Sequence, residues 1–467
     1  MNSVAGGEMG YRVDQNGSIA ILGGGLAGLA VGYFAAKKNL PFRIFEAANQ
    51  TGGNCVTFQY KDFLFDSGAH RIHDKDPEIT SEFKSLLGGD LVKIDAPSQI
   101  CHNGKFIDFP LSPLNVVKYL GLWDTTRALL ELALSRTRKN SPNHSFEKFA
   151  LQTYGNTIAE RFLLNYSEKL WGISCDRLSP YIAGKRLKGM DVKSLFMETI
   201  FGRKNQTRHV EGAFYYPKKG IGAIAARLED FCGNENISRN SRISRIFHDR
   251  SRILAIEVNN AEKVPVTDLI STLPLNLFVL KMEPEPPGEI LALARDLSFR
   301  NLILVAFFLD KKEVTKNASV YFPDRSIPFT RIYEPRNRSG QMSPPDKTSL
   351  IVEIPCNLHD KFWDTEDDLL IPMIRSHLVK IGWIKDPDIL GTCVKRLDFA
   401  YPVLEIDHMD KVEKIHAWLR GFDNLKLSGR NGRFVYAWIH DMMRFGRDII
   451  DEYHSPLNEK SRSSQYK

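Results

Sequence analysis

The chain has 467 residues, 43% of them hydrophobic and 25% charged, and 63 Lys and Arg against 56 Asp and Glu leave a net charge of +7. That length admits two or three domains around a large core, in the ordinary composition range of a globular protein. With no Lys/Arg block interleaved with aromatics, nucleic acid is excluded as an expected partner, while a small anionic substrate or peripheral contact with an acidic membrane surface stays compatible.

In chain order, Met1 to Gly17 is polar and glycine-rich, which reads as a frayed leader and not a secretory signal. Ile19 to Leu22 is a short apolar run without polar alternation, the pattern of a parallel strand buried on both faces. Gly23, Gly25 and Gly28 follow in the spacing G-x-G-x-x-G, and Leu29, Tyr33 and Phe34 then fall at helical spacing. A second apolar run, Pro41 to Phe45, ends in Glu46, and Gly52-Gly53-Asn54 comes soon after. Tyr60 to Asp66 reads as a strand leading into Ser67 to His73. Asp76 and Pro77 open a predicted helix that runs to Leu87. Lys93 to Ile107 has the form of a hairpin turning at His102-Asn103-Gly104, and Phe109 to Pro113 breaks the pattern.

From Leu114 to Met197 the texture becomes helical, with Asn115 to Arg136 and Ser145 to Trp171 as helices around a polar loop, Lys139 to His144. Gly202 to His209 is a basic loop, and Ala223 to Phe231 a helix after Phe214 to Gly222. Short β patterns occupy Ile237 to Asn260 and Pro265 to Ser271. Leu302 to Leu309, Ser319 to Phe322, Thr330 to Tyr333 and Ser349 to Ile354 predict a mostly antiparallel sheet. Glu366 to Ile381 is a helix, Leu425 to Ser428 a strand, and Gly429 to Gly432 a turn into a helix from Trp438 to Tyr453. Ser455 to Lys467 is a polar, disordered tail. Six cysteines, at 55, 101, 175, 232, 356 and 393, lack C-x-x-C or metal-type spacing and read as free thiols of a reducing, cytoplasmic compartment. The longest apolar runs are strand-length, so no integral membrane segment is expected.

The opening glycine turn carries the first chemical expectation. Its first glycine permits the bend, the second lets backbone approach a pyrophosphate, and the third lets helix and strand pack closely, while the N–H groups of Leu26 and Ala27 face the phosphates. Glu46 lies 18 residues beyond Gly28, near the offset at which an acid meets an adenosine ribose. The Gly52-Gly53 doublet favours FAD, whose flavin end runs past this loop. No hydrolytic motif appears, and His70 and His73 follow a loop-forming Asp-Ser-Gly, so no metal site is expected.

GGGLAGL, the strand ending in Glu46, TGGN and FDSGAH (Phe65 to His70) together resemble the amine oxidase and protoporphyrinogen oxidase superfamily of FAD proteins. NGKFIDFP (Asn103 to Pro110), NYSEKLWGISCDRL (Asn165 to Leu178), FYYPKKGIG (Phe214 to Gly222) and GRNGRFVY (Gly429 to Tyr436) resemble its UDP-galactopyranose mutase-like branch. The resemblance implies an α/β fold with mixed sheets and a discontinuous, Rossmann-like FAD domain of the GR2 type. Its three parts would be residues 18–110, 210–275 and 420–454. Residues 111–200 would form a helical insertion over the substrate, and 276–400 a mostly antiparallel substrate-side sheet.

The same likeness puts Gly23, Gly25, Leu26, Ala27, Gly28 and Glu46 at the ADP half of FAD. Gly53, Asn54, His70, Gly429 and Arg430 would lie nearer the pyrophosphate, ribityl chain or ring. His70 and Tyr436 would be the catalytic groups. Tyr166, Lys169, Trp171, Lys185, Arg186 and Arg331 are candidates for the substrate side, with Phe329, Tyr333 and Tyr401 as further pocket aromatics. Trp438 stands where the mutases carry a carboxylate, which favours a bulkier or more apolar substrate. The leading expectation is an FAD-dependent oxidoreductase of the protoporphyrinogen oxidase and amine oxidase type. The alternatives are a nucleotide-sugar mutase without net redox and an FAD-holding subunit without turnover.

Overall fold

The computed structural model describes residues 18–109, 113–135, 145–183 and 213–453. The leader, the Lys139 to His144 loop, Lys185, Arg186, the 202–209 loop and the 455–467 tail lie outside these residues. The described chain forms two compact units.

The first unit draws on described residues 18–53, 225–297 and 411–453. Its centre is a parallel five-stranded sheet in the order Leu425–Leu427, Asp268–Ser271, Ile19–Leu22, Phe42–Phe45, Ile237–Ser238. Ile19–Leu22 takes the middle place because all four of its residues are apolar or small and buried, as a strand covered on both faces requires. The helix Leu26–Lys37 follows it and packs on the C-terminal helix Ile439–Tyr453. Contact there is close: a Cβ at Gly446 would sit 2.8 Å from the Ala30 carbonyl carbon. A second sheet pairs Glu262–Pro265, Ile253–Val258 and Ile243–His248 antiparallel, with Met282–Glu283 alongside in parallel.

Asn424 ties these sheets together. Buried at 3% exposure, its side-chain carbonyl accepts from the Ile253 amide at 2.8 Å, and its amide donates to the carbonyls of Ile253 and Thr267, each at 2.8 Å.

The second unit draws on the described residues between 54 and 224, and on 298–410. Its seven-stranded sheet runs Ile389–Pro402, Phe299–Leu309, Thr348–Cys356, Arg331–Tyr333, Ser319–Tyr321, Ser98–His102, Lys105–Phe109. All neighbours are antiparallel except Ser319–Tyr321 and Ser98–His102. The hairpin expected near His102 therefore supplies the last two strands, turning at Asn103 and Gly104 as its Asn-Gly pair demands. Within Phe299–Leu309, residues 302–309 are apolar without alternation because both faces are covered. Ile303, Val305 and Phe307 meet Leu370, Ile374 and Leu378 of the helix Asp367–Lys380. Leu304, Ala306 and Phe308 meet Phe63 and Phe65 of the Phe63–Asp66 strand.

The helical stretch comprises Pro113–Ser135, kinked at Gly121, then Phe146–Ile158, a wide turn Ala159–Leu164, and Asn165–Trp171. Asp76 caps the Pro77–Leu87 helix as its sequence position predicts, accepting from the Ile79 amide at 3.2 Å. Among the described residues no helix is long and apolar enough to cross a membrane.

Replacing Asn424 with Ala removes the side-chain partner of the buried Ile253 amide and carbonyl, while the Thr267 carbonyl keeps Arg252 Nη2 at 3.4 Å. The variant is expected to lose roughly 1–3 kcal/mol of unfolding free energy, measured by urea titration of the holoprotein.

Candidate functional site

In the first unit, three loops converge where the opening strand ends. The Gly23 to Gly28 turn is the first. A Cβ at Gly28 would overlap the Gly23 carbonyl oxygen, so only glycine lets the helix start so close to the strand. The Gly52-Gly53 loop lies on it: the Gly52 amide donates to the Gly24 carbonyl at 2.9 Å, and a Cβ at Gly53 would come 3.1 Å from the Gly25 Cα. The third is Gly429, where a Cβ would come 2.9 Å from that of Ala27.

The chemistry of this cradle is one-sided. Leu26–Lys37 begins without a side-chain cap and without an acid in its first turn, leaving backbone donors and a positive dipole end at its N-terminus. Glu46 Oε2 accepts from the Gly24 amide at 2.7 Å and Oε1 from the Ala48 amide at 2.8 Å. Each oxygen keeps further acceptor capacity for a hydroxyl. Ser428 Oγ is fully buried beside Gly429 and has no hydrogen-bond partner among the described residues. Uncapped donors for an anion, an acceptor for a diol and an orphaned buried hydroxyl fit a dinucleotide with its pyrophosphate over the turn. Arg430, half-buried, immediately follows Gly429. Tyr436, also half-buried, stands edge-on to Trp438 with centroids 6.2 Å apart. The acid of this segment, Asp441, accepts from the Trp438 amide at 2.9 Å and pairs with Arg444 at 2.6 Å, so it caps the C-terminal helix.

In the second unit, the Asp66 to His70 loop is held from below by a buried polar network. Asp66 accepts from Thr57 Oγ1 at 2.7 Å, from the Ile221 amide at 3.0 Å and from the Tyr216 hydroxyl, while Tyr333 donates to its backbone carbonyl at 2.5 Å. Burial pushes the Asp66 carboxyl above its ordinary range, with the Tyr216 and Thr57 hydroxyls opposing. Burial and the Asp66 charge raise the Tyr216 and Tyr333 phenols well above theirs. Arg338, wholly buried, donates to the His70 carbonyl at 2.6 Å and to the Ala318 carbonyl at 3.0 Å. Its guanidinium also lies over the Tyr333 ring at 5.0 Å. The His70 ring is oriented by Ser67, whose Oγ lies 3.2 Å from Nε2. Asn54 donates to the carbonyls of Asp398 and Phe399, each at 3.2 Å.

Above this loop Glu353 joins two candidate regions. Its Oε1 accepts from the Ala69 amide at 2.9 Å, and its Oε2 takes Arg331 Nε at 2.8 Å and Nη2 at 2.6 Å. Burial works against the Arg331 charge, yet the Glu353 carboxylate holds it well above the usual range, with Tyr401, Tyr321 and Tyr166 facing it in turn. Tyr166 meets Tyr321 edge-on at 5.8 Å, and Trp171, 3% exposed, meets Tyr401 at 6.1 Å. Of the expected substrate-side residues, the structure thus brings Tyr166, Trp171, Arg331 and Tyr401 together and links them to the His70 loop.

Two expectations need correcting. Phe329 and Tyr333, expected as pocket aromatics, are buried in the core, Phe329 against Phe322 and Tyr333 against Asp66. Sequence reasoning also missed Glu353 and Arg338. Glu353 left a signal, one carboxylate in the apolar Thr348–Cys356 strand; Arg338, in an Arg-rich loop, left none.

Comparison with known proteins gives four findings. A family model described as flavin containing amine oxidoreductase matches residues 26–397. The chain is 20% identical over 477 residues to the coproporphyrinogen III oxidase of Staphylococcus aureus (strain NCTC 8325 / PS 47), covering 93% of this chain and 98% of that one. It is 27% identical over 167 residues to protoporphyrinogen oxidase 1, chloroplastic, of Arabidopsis thaliana, 34% of this chain and 31% of the plant protein. Its fold matches a crystal structure of reduced UDP-galactopyranose mutase with a TM-score of 0.81, at 20% identity and 93% coverage of both chains.

Gly28→Ala is expected to purify with less than about a tenth of the flavin of the wild type, read from visible absorbance, because the turn cannot close under the helix. A second prediction concerns Asp66. Its folded pKa lies above the ordinary 3.8, so the folded state binds more protons than the unfolded one over that window. Stability from this group therefore falls as pH rises from 3.8 through the raised pKa. Urea unfolding of wild type and Asp66→Asn across that range is expected to show the wild type's advantage shrinking as pH rises.

Proposed function

This chain belongs to the flavin-containing amine oxidoreductase family and is an FAD-dependent oxidoreductase, and from that premise we propose that it oxidises a porphyrinogen. The carrying observation is the match to the Staphylococcus aureus coproporphyrinogen III oxidase along nearly the whole of both chains. The aromatic set around Arg331 supports it, since the half-buried Tyr166, Tyr321 and Tyr401 suit a broad, mostly apolar ligand. So does Trp438, at the position where a mutase carboxylate is expected from the resemblance.

FAD, when bound, supplies the hydride acceptor for a substrate C–H bond and passes the electrons to dioxygen or another acceptor. The chain's own residues hold and orient. Backbone N–H groups at Gly25, Leu26 and Ala27 receive the pyrophosphate, and the remaining lone pairs of Glu46 receive the adenosine ribose. Gly53, Asn54, Gly429 and Arg430 serve the flavin half. His70, its ring set by Ser67 Oγ, receives the proton that leaves the substrate nitrogen as the adjacent C–H is oxidised. Tyr436 is the second catalytic candidate, half-buried in the turn that follows Gly429. Residues 111–200 serve as a cap over the substrate, and 276–400 as its supporting sheet. Six free cysteines support a reducing, cytoplasmic setting.

Anaerobic mixing of the purified holoprotein with coproporphyrinogen III, protoporphyrinogen IX, a panel of amines and UDP-galactopyranose tests this. A porphyrinogen is expected to bleach the flavin band and yield porphyrin fluorescence. Turnover of UDP-galactopyranose by the reduced protein without net bleaching would establish the mutase reading instead, and no response to any donor would leave an FAD-holding subunit.

A further inference from the structure

The stretch Tyr166 to Gly172 is expected from its resemblance to line a substrate cleft, yet its lysine is occupied inside the protein. Lys169 Nζ donates to the backbone carbonyls of Phe322 at 2.6 Å, Phe329 at 2.8 Å and Asp324 at 2.9 Å. An ammonium has three N–H donors, and each meets one carbonyl. All three acceptors lie in the connection between the strands Ser319–Tyr321 and Arg331–Tyr333. Tyr321 and Arg331 are the residues at the two mouths of that connection.

The lysine is itself on a fixed post. Arg300, 3% exposed on the Phe299–Leu309 strand, donates to the carbonyls of Leu170 at 3.0 Å and Lys169 at 3.1 Å, and to Asn357 Oδ1 at 2.6 Å. A cation here also suits the negative end of the Asn165–Trp171 helix. Gly172 ends that helix in the left-handed region, φ 72°, and a Cβ there would overlap the Arg300 guanidinium. Lysine and glycine in this stretch therefore both serve one junction between helix and sheet. Tyr166, three residues before the lysine, meets Tyr321 across it.

We infer that Lys169 is a positioning residue which fixes the connection 322–330, and through it sets Tyr321 and Arg331 for substrate. The route continues from Arg331 through Glu353 to the Ala69 amide beside His70. The substrate-side assignment of Tyr321 and Arg331 rests on the function proposed above; the junction does not.

The test uses the full-length holoprotein carrying Lys169→Met, which keeps an unbranched stem and removes the donors. With coproporphyrinogen III as probe, KM is expected to rise about tenfold while kcat per bound flavin changes less than about threefold, since the loss falls on binding common to ground and transition states. Flavin content is expected to match the wild type. Backbone hydrogen exchange is expected to quicken across residues 319–333 and not across 26–37. A residue that only stabilised the fold would lower kcat per chain at unchanged KM, and that result, or unchanged exchange at 319–333, overturns the inference. Lys169→Gln retains two donors and is expected to fall between; it carries the test if the Met variant does not fold, and failure of both to fold overturns a positioning role. The exchange measurement needs no substrate. If the wild type oxidises no porphyrinogen, the proposed function fails, while exchange at 319–333 still decides the part played by Lys169.

Discussion

The first unit depends on how closely one helix approaches one strand. Gly28 lies against the Gly23 carbonyl with no room for a Cβ, so the helix Leu26–Lys37 begins directly off the end of Ile19–Leu22. That contact leaves the helix N-terminus uncapped by any side chain and open to an anion. It also sets Gly24 within 2.7 Å of the Glu46 carboxylate at the end of the neighbouring strand. Strand order follows the same demand, since the glycine turn leaves the middle of the parallel sheet with a strand on either side.

The second unit answers a different problem, the placing of polar groups inside an apolar sheet. Glu353 sits at 3% exposure in a strand otherwise apolar around it, and an ionised carboxylate there is tolerable only with full pairing. It receives two bonds from Arg331 and one from the Ala69 amide. Arg338 and Asp66 solve the same problem beneath the loop, through the His70 carbonyl, the Tyr216 hydroxyl and the Ile221 amide. Such networks cost desolvation, and what they return is a loop held in one conformation. The loop so held is the one that carries His70.

Legibility in the sequence followed the range of the interactions. The Ile19–Leu22 strand, the glycine spacing, the Asp76 cap and the Asn103-Gly104 turn each depend on neighbours within a few residues, and each reads directly from residue type. Leu302 to Leu309 reads as a strand from its apolar run, while the residues that cover its two faces are distant in sequence. By contrast, Lys169 meets carbonyls more than 150 positions away, and Arg338 meets one 268 positions away. No local period announces such partners. Lys169 stands among the substrate residues through the resemblance of its segment, and nothing in the local sequence separates a buried lysine bonded to main chain from one facing a ligand. Tyr333 and Phe329 were misplaced for a related reason: an aromatic's residue type does not say whether it faces a cavity or fills the core.

The claim on which the rest stands is that the glycine cradle grips the ADP half of FAD. Titrating flavin-depleted protein with FAD and with FMN, followed by flavin fluorescence and by competition with ADP, tests it most directly. FAD is expected to bind and be displaced by excess ADP, while FMN, which lacks the adenosine half, binds far more weakly. Equal affinity for FAD and FMN, with no competition from ADP, would contradict the account.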